Sequence, residues 1–385
     1  MSCPGARAFL FGCFTWNFAL GASYLLVPLY AYELGMTGLT IGALVAIPMT
    51  VQIVLNLIGG TWTDRHGGKR IAVFSSLAAI GAGLVFAVSA SFAGLFAAQM
   101  LWMLSRATFW PATWSLASQL EGDRTRQFGR LNAITSAGQI AGTAVAGMIV
   151  AAFGFRAGFW AFVATAAVTT VAIALYRPPA HVAPAKQPIL QTYLELLRRP
   201  SVYYAIMCAY VSALPFSLSQ SFYPILFIEQ GFSTGTAGWI LALRGIGQVI
   251  AGFAAGQLLR QVGSWSVPVA AGVGLGLCVV LVALVDELAI VILFVAGAGF
   301  GAGLATLYFQ VLISETSALA ERGQAMAMGG LGWGISHLST PLIMGAVKDH
   351  YGIHAAFYLI GVIVVIWGLA LIPVHRWAFR HSRPR

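Results

Sequence analysis

The chain has 385 residues, of which 59% are hydrophobic, 12% aromatic and 8% charged, with a formal net charge of +10. A soluble domain carries about 25% charged residues, so 32 charged side chains cannot cover a water-facing surface, and the aromatic content excludes disorder. With a mean hydropathy of +0.84, the chain reads as an all-α polytopic membrane protein.

A membrane crossing needs about 20 apolar residues. Between charged or Gly/Pro-rich breaks, twelve spans are predicted in chain order: 8–31, 39–62, 70–92, 93–119, 130–153, 157–177, 201–227, 235–259, 265–285, 288–314, 323–347 and 354–376. The first is too long for a signal-peptide core and has no convincing cleavage site, so it reads as a helix. Cys3, Cys13, Cys208 and Cys278 form neither a disulfide framework nor a zinc spacing, and no metal site is expected. Seventeen of the 21 Lys and Arg fall on one side of these spans; only Arg156 and Lys348 fall on the other, and Arg106 and Arg244 lie inside spans. Positive charge stays cytoplasmic, so both termini are expected in the cytoplasm. The basic charge sets topology and does not point to nucleic acid.

The one long polar connection, 178–200, holds Pro178, Pro179, Pro184, Pro188 and Pro200. It separates a six-helix bundle at 1–177 from a second at 201–385, which ends in a short basic tail. The two halves resemble each other. The stretch 60–67 aligns with 256–263 at an offset of 196, and 154–160 aligns with 352–358 at an offset of 198. Such repeats are common in transporters, with substrate held near the midplane.

After the second span the loop reads Gly60-x-x-x-Asp64-Arg65-x-Gly67-Gly68-Lys69-Arg70. With twelve spans and a duplication, this resembles the signature loop of the major facilitator superfamily, from which it departs at Gly68, where an Arg is usual. The fifth span resembles the glycine-rich motif of the drug/proton antiporter branch at Gly129, Gly138, Gly142 and Gly147; Thr143 replaces the usual Pro and Ala146 one Gly. The resemblance implies a twelve-helix fold of two pseudo-symmetric bundles working by alternating access, with export as the expected direction. It also implies gating roles for Gly60, Asp64, Arg65, Gly67, Lys69 and Arg70, as a cytoplasmic latch favouring the outward-facing state, and for Gly138, Gly142 and Gly147. In the second copy Arg260 stands where Asp64 stands in the first, so the latch is asymmetric. Independently of family, small residues four apart at 138, 142 and 146 make a smooth stripe for close helix packing. Gly330, Gly332, Gly334 and Pro341 predict a close-packed or bendable eleventh span.

Ionisable groups at bilayer depth are costly and are functional suspects. Arg106 in the fourth span and Arg244 in the eighth stand out, and no acid of the chain falls at their depth. Two guanidinium groups facing a wet cavity favour anions such as carboxylates, phosphates or sulfonates. Neighbours at helical spacing extend the candidate substrate site: Trp110 and Trp114 beside Arg106, Gln248 beside Arg244, Trp333 with His337, and Asn17 and Tyr24 on the first span. Arg106 also matches an Arg common in the fourth helix of antiporters, which implies a role in coupling or in structure. His337, the one histidine well inside a span, is the candidate protonatable switch. Family antiporters often carry their proton on an embedded carboxylate, which is missing here.

The expected protein is therefore a secondary transporter of the cytoplasmic membrane, moving an amphipathic, anion-leaning small molecule. An anion importer or exchanger, or a broad drug/proton antiporter, is the alternative. No cofactor is expected beyond a proton or ion gradient. One chain suffices for the fold, so a monomer in the lipid bilayer is expected. An enzyme is not: Asp64–His66 and Asp349–His350 lie on opposite sides, and no Walker-type loop is present.

Overall fold

The computed structural model describes residues 5–120, 124–178, 195–261, 265–317 and 322–380. Every regular element among them is helical: α1 (Ala6–Glu33), α2 (Gly38–Ala46), α3 (Met49–His66), α4 (Gly68–Val88), α5 (Phe92–Ala117), α6 (Arg124–Leu175), α7 (Pro200–Ser219), α8 (Tyr223–Glu229), α9 (Thr234–Gln261), α10 (Ser266–Val282), α11 (Leu288–Thr316), α12 (Arg322–Gly329) and α13 (Leu331–Ala378). Residues 179–194 of the expected linker and 381–385 of the basic tail lie outside the described residues.

Among the described residues, eight helical segments are long and apolar enough to cross a membrane. Two of these are far too long for one crossing. At about 1.5 Å per residue, the 52 residues of α6 and the 48 of α13 would exceed twice the roughly 30 Å hydrocarbon core. Each is broken once, at Gly154 (φ 78°, ψ 173°) and at Gly352 (φ 83°, ψ 170°), a backbone region essentially reserved for glycine. Each therefore supplies two crossings. α10 is a crossing of 17 residues. α5 has the length at 26 residues but not the hydropathy, because Gln99, Ser105, Arg106, Thr108 and Thr113 interrupt it. Among the described residues this is consistent with the twelve crossings expected, and the long helix that falls short in hydropathy is the one that carries Arg106.

The duplication is written in backbone geometry. α1 and α8 both end in a Schellman turn on a positive-φ glycine, Gly35 (74°) and Gly231 (87°). The closing bonds match: Met36 N–H donates to the Ala31 carbonyl at 3.1 Å, and Phe232 N–H to the Phe227 carbonyl at 3.0 Å. The next helix then starts on the same hydroxyl cap. Thr37 Oγ1 accepts from Thr40 N–H at 3.3 Å, and Ser233 Oγ accepts from Thr236 N–H at 3.1 Å. Gly154 and Gly352, aligned from sequence, break their helices alike.

The chain divides into two compact units, Met1–Ala185 with Tyr223–Ala242, and Lys186–Phe222 with Leu243–Arg385. In the first, α1 packs along α6, and α4 lies between α5 and α6. In the second, α13 packs on α7 and α10, and α11 on α7 and α10. Without a hydrophobic drive between helices in lipid, close approach does the work. A methyl group on Gly138 or Gly142 would overlap the carbonyl oxygen of Phe14 or Phe18 on α1, and one on Gly332 would overlap that of Ile206 on α7. One predicted span is interrupted where the sequence reads as continuous helix, at 220–222 between α7 and α8, where Gln220 has φ -90° and ψ 6°; the joints at 47–48 and at Gly330 keep right-handed helical angles. Such breaks persist at membrane depth where protein, rather than lipid, surrounds the backbone.

Candidate functional site

In the first unit, Arg106 is 6% exposed on α5. Ser91 caps the helix by accepting from Gly94 N–H at 3.3 Å. One guanidinium nitrogen lies 3.7 Å from Met103 Sδ, and Tyr24 on α1 is close enough to act on it electrostatically. The same unit holds an aromatic cluster built on α1 and α5. Trp16 stacks flat on Phe109 (3.9 Å, 4°) and meets Trp110 edge-on at 5.8 Å. Its indole N–H donates to Ser105 Oγ, and that of Trp102 donates to Ser23 Oγ, both at 3.2 Å. Trp16 and Trp102 are thus locked into the core of the unit. Trp110 is half-buried, and Trp114 is exposed 5.9 Å from it. Asn17 is buried and donates to the Cys13 carbonyl of its own helix at 2.9 Å.

In the second unit, Arg244 is 3% exposed on α9, with its guanidinium carbon 4.1 Å from the centre of the Phe216 ring on α7. Phe216 packs on Trp333 of α13 at 5.0 Å, and Trp333 stacks on His337 at 5.6 Å with 16° between planes. The arrangement is pinned from two sides. Trp333 N–H donates to Ser212 Oγ at 2.9 Å, and His337 Nδ1 lies 2.9 Å from the Trp333 carbonyl oxygen. Gly299 on α11 lets α9 approach: a methyl there would overlap the Arg244 carbonyl oxygen. Gln248, one turn on from Arg244, is half-buried. Beside His337, Ser336 Oγ and Thr340 Oγ1 are fully buried and make no hydrogen bond among the described residues.

The structure thus brings Trp333 and His337 together and ties them to Arg244 through Phe216. It sets Tyr24 near Arg106 and joins Trp110 to Trp16, Phe109 and Trp114. Phe216, Ser212, Trp16 and Phe109 were not singled out from sequence. Trp16 and Phe109 lie on different helices, as do Phe216 and Arg244, so no periodicity links either pair.

Of the residues with expected gating roles, Gly67 (φ 84°, ψ 140°) makes the sharp joint between α3 and α4; Arg65 and Arg70 are exposed and Lys69 is half-buried. The surroundings of Gly60 and the side chain of Asp64 lie outside the described residues. Gly138 and Gly142 seat α6 on α1, and Gly147 seats it on α9: a methyl on Gly147 would sit 2.7 Å from the Thr234 carbonyl oxygen and 3.0 Å from Gly238 Cα. Gly129 has nothing within 4 Å.

Comparison with known proteins agrees with this architecture. The family model described as Major Facilitator Superfamily matches residues 8–315 and 207–384. Quinolone resistance protein NorA of Staphylococcus aureus is 26% identical over 141 residues, 36% of this chain and 36% of that protein. Multidrug resistance protein 2 of Bacillus subtilis is 28% identical over 152 residues, 38% of each. The matched stretch therefore spans little more than a third of these relatives. Among solved structures, the nucleoside transporter NupG superposes with a TM-score of 0.76 at 15% identity, covering 96% of this chain and 98% of that one. The peptide transporter POT in complex with sulfate gives 0.79 at 15% identity, covering 98% and 95%. At such identities these structures speak for the fold alone.

Proposed function

The chain belongs to the Major Facilitator Superfamily, and from that premise we propose that it is a secondary transporter of amphipathic, anion-leaning small molecules, working by alternating access in the cytoplasmic membrane with both termini inside. It is a transporter of small molecules and not an enzyme. The observation that carries the anion preference is the guanidinium of Arg244 held over Phe216, beside the Trp333–His337 stack. An aromatic slab with a fixed cation suits a flat organic anion, whose ring stacks while its charged group meets the guanidinium. Within the first unit Arg106, with Tyr24, Trp110, Trp114 and Asn17, is a candidate cationic point of its own, and within the second unit Gln248 stands one turn from Arg244. The Asp64–Arg70 loop acts as the latch, and the Gly138, Gly142 and Gly147 contacts as the surfaces that must part or slide. The protein acts as a monomer and takes its energy from an ion gradient, without a cofactor.

Outward movement is supported by the fifth-span glycine pattern and by the similarity to proteins named for quinolone and multidrug resistance. A second reading, inward movement or exchange of anions, is favoured by one observation. Among the described residues every acid stands near a helix end, at the Gly352 break or between helices, so the described spans offer no carboxylate on which a cationic drug and a proton could compete.

Thermal-shift measurements on the purified protein test the substrate class, with naphthalene-2-sulfonate and tetraphenylphosphonium as probes on wild type, Arg106→Gln and Arg244→Gln. Stabilisation by the sulfonate alone, lost in either variant, is the expected result. Stabilisation by the phosphonium that survives both substitutions overturns the anion preference. Uptake into right-side-out against everted vesicles decides the direction.

A further inference from the structure

We propose that the groove between the start of α1 and the end of α6 binds an anionic phospholipid, with an acyl chain in the groove and the headgroup phosphate at Arg7 and Arg177. The groove lies within the first unit. It has a volume of about 390 Å³ and apolar walls, with Ala8 and Phe11 from α1 facing Val168, Val171 and Leu175 from α6. All of these but Ala8 are exposed. Small-molecule pockets run from about 300 to about 1,000 Å³, so the groove suits part of an acyl chain rather than a whole lipid. The two helices meet closely at one end of it. A methyl group on Gly5, the N-cap of α1, would sit 3.0 Å from the Leu175 carbonyl oxygen and 3.0 Å from Tyr176 Cα. Arg7 and Arg177 are each two residues from this contact pair, counted from Gly5 and from Leu175, and both are exposed. They therefore stand at the same end of the helix pair. Residues 1–32 and 155–178, which hold both arginines and the groove walls, contain no Asp or Glu. No side chain caps α1, so its first-turn N–H groups add positive potential at that end.

The duplication identifies what would otherwise fill this space. At the offset of 196 that relates Gly35 to Gly231, Ala8 corresponds to Tyr204. At the offset of 198 that relates Gly154 to Gly352, Arg177 corresponds to His375. In the second unit the Tyr204 ring is fully buried, with His375 at 5.3 Å and Phe379 at 5.9 Å. There the protein's own aromatic rings close the space. In the first unit a methyl group stands where the phenol ring would be, and a guanidinium where the imidazole would be. The groove is thus left open and its rim is cationic. An apolar trough with a cationic rim matches a molecule that joins a long apolar chain to a fixed negative charge. A bilayer presents that chemistry in its anionic lipids, which basic pockets between helices recognise. Arginine stems lie along apolar walls while their charged ends reach headgroup level, and the guanidinium fork fits a phosphate. The site is separate from Arg106 and Arg244 and does not depend on what the protein transports.

Native mass spectrometry of the intact chain released from detergent tests this by counting bound lipid. The probes are dioleoylphosphatidylglycerol and dioleoylphosphatidylcholine, which share acyl chains and differ in net charge. One phosphatidylglycerol is expected to bind ahead of any further lipid and ahead of phosphatidylcholine. A basic residue near the headgroups changes affinity about fivefold. Arg7→Gln combined with Arg177→Gln should therefore weaken phosphatidylglycerol binding about twenty-five-fold and erase the preference. Arg376→Gln combined with Arg380→Gln removes the same charge from exposed positions at the end of the second unit and should leave the first lipid bound. Ala8→Tyr copies the second unit and should weaken binding of both lipids. Equal losses in the two double variants would reduce the effect to diffuse charge and overturn the site. Equal binding of the two lipids by wild type overturns it too. Unchanged phosphatidylglycerol binding by Ala8→Tyr overturns the placement of the chain in the groove. Glycerol 1-phosphate bound as tightly as the lipid would make this a soluble-phosphate site and overturn the lipid assignment. Should Ala8→Tyr fail to fold, Val171→Trp blocks the groove from its other wall, and the arginine variants change only exposed side chains.

Discussion

Gly142 offers the sharpest test of how the first bundle is held. A methyl added there would overlap the Phe18 carbonyl oxygen and lie 2.7 Å from both the carbonyl carbon and Cα of Phe18. Carbon atoms in contact prefer about 3.5–4.0 Å. The obstacle is backbone, so no side-chain rotamer can clear it, and α1 must back away from α6 by the better part of an ångström. Overpacking of this kind costs about 1–3 kcal/mol. Against it stands the gain in helix propensity of Gly→Ala, about 1 kcal/mol. Gly142→Ala is therefore expected to lose net stability, by up to about 2 kcal/mol. Gly129, on the same helix with nothing within 4 Å, supplies the control: Gly129→Ala keeps the propensity gain and meets no obstacle, so it should be neutral or slightly stabilising. Thermal unfolding of both variants in one detergent reads the difference. Equal melting temperatures, or a less stable Gly129→Ala, would refute the view that close α1–α6 contact, rather than glycine's flexibility, explains the stripe.

Phe216→Leu keeps an apolar side chain but removes the ring under Arg244. Cation–π contacts are worth about 0.5–2 kcal/mol, so sulfonate affinity should fall from about twofold to about thirtyfold, measured by calorimetric titration; unchanged affinity would mean that the ring does not orient the guanidinium. Ser212→Ala removes the acceptor of the Trp333 N–H and should cost about 1 kcal/mol, with a change in tryptophan emission that the Trp333→Phe background abolishes. Thr37→Ala and Ser233→Ala remove duplicated caps and should destabilise by similar amounts, about 1 kcal/mol each; strongly unequal melting shifts would show that the two turns are not energetically equivalent.

What could be read from residues alone was whatever is local along the chain or repeated within it. Hydropathy marked the crossings because each must cover the same apolar thickness, and it marked Arg106, Arg244 and His337 as exceptions. The offset of 198 between Gly154 and Gly352 pointed to a duplication that returns as matching glycine breaks. The helix interruption at 220–222 was not legible, because a backbone break at membrane depth depends on which neighbouring helices shield it. Nor was the inner arrangement of either candidate site. Trp110 and Trp114 stood out by their spacing from Arg106, yet the ring that packs flat on α5 is Trp16, from another helix. Phe216 and Arg244 are 28 residues apart on α7 and α9, and only the packing of those helices brings the ring beneath the guanidinium. Periodicity reports which face of one helix is special; which partner that face meets is decided by the close approach that Gly299 and Gly332 permit between backbones.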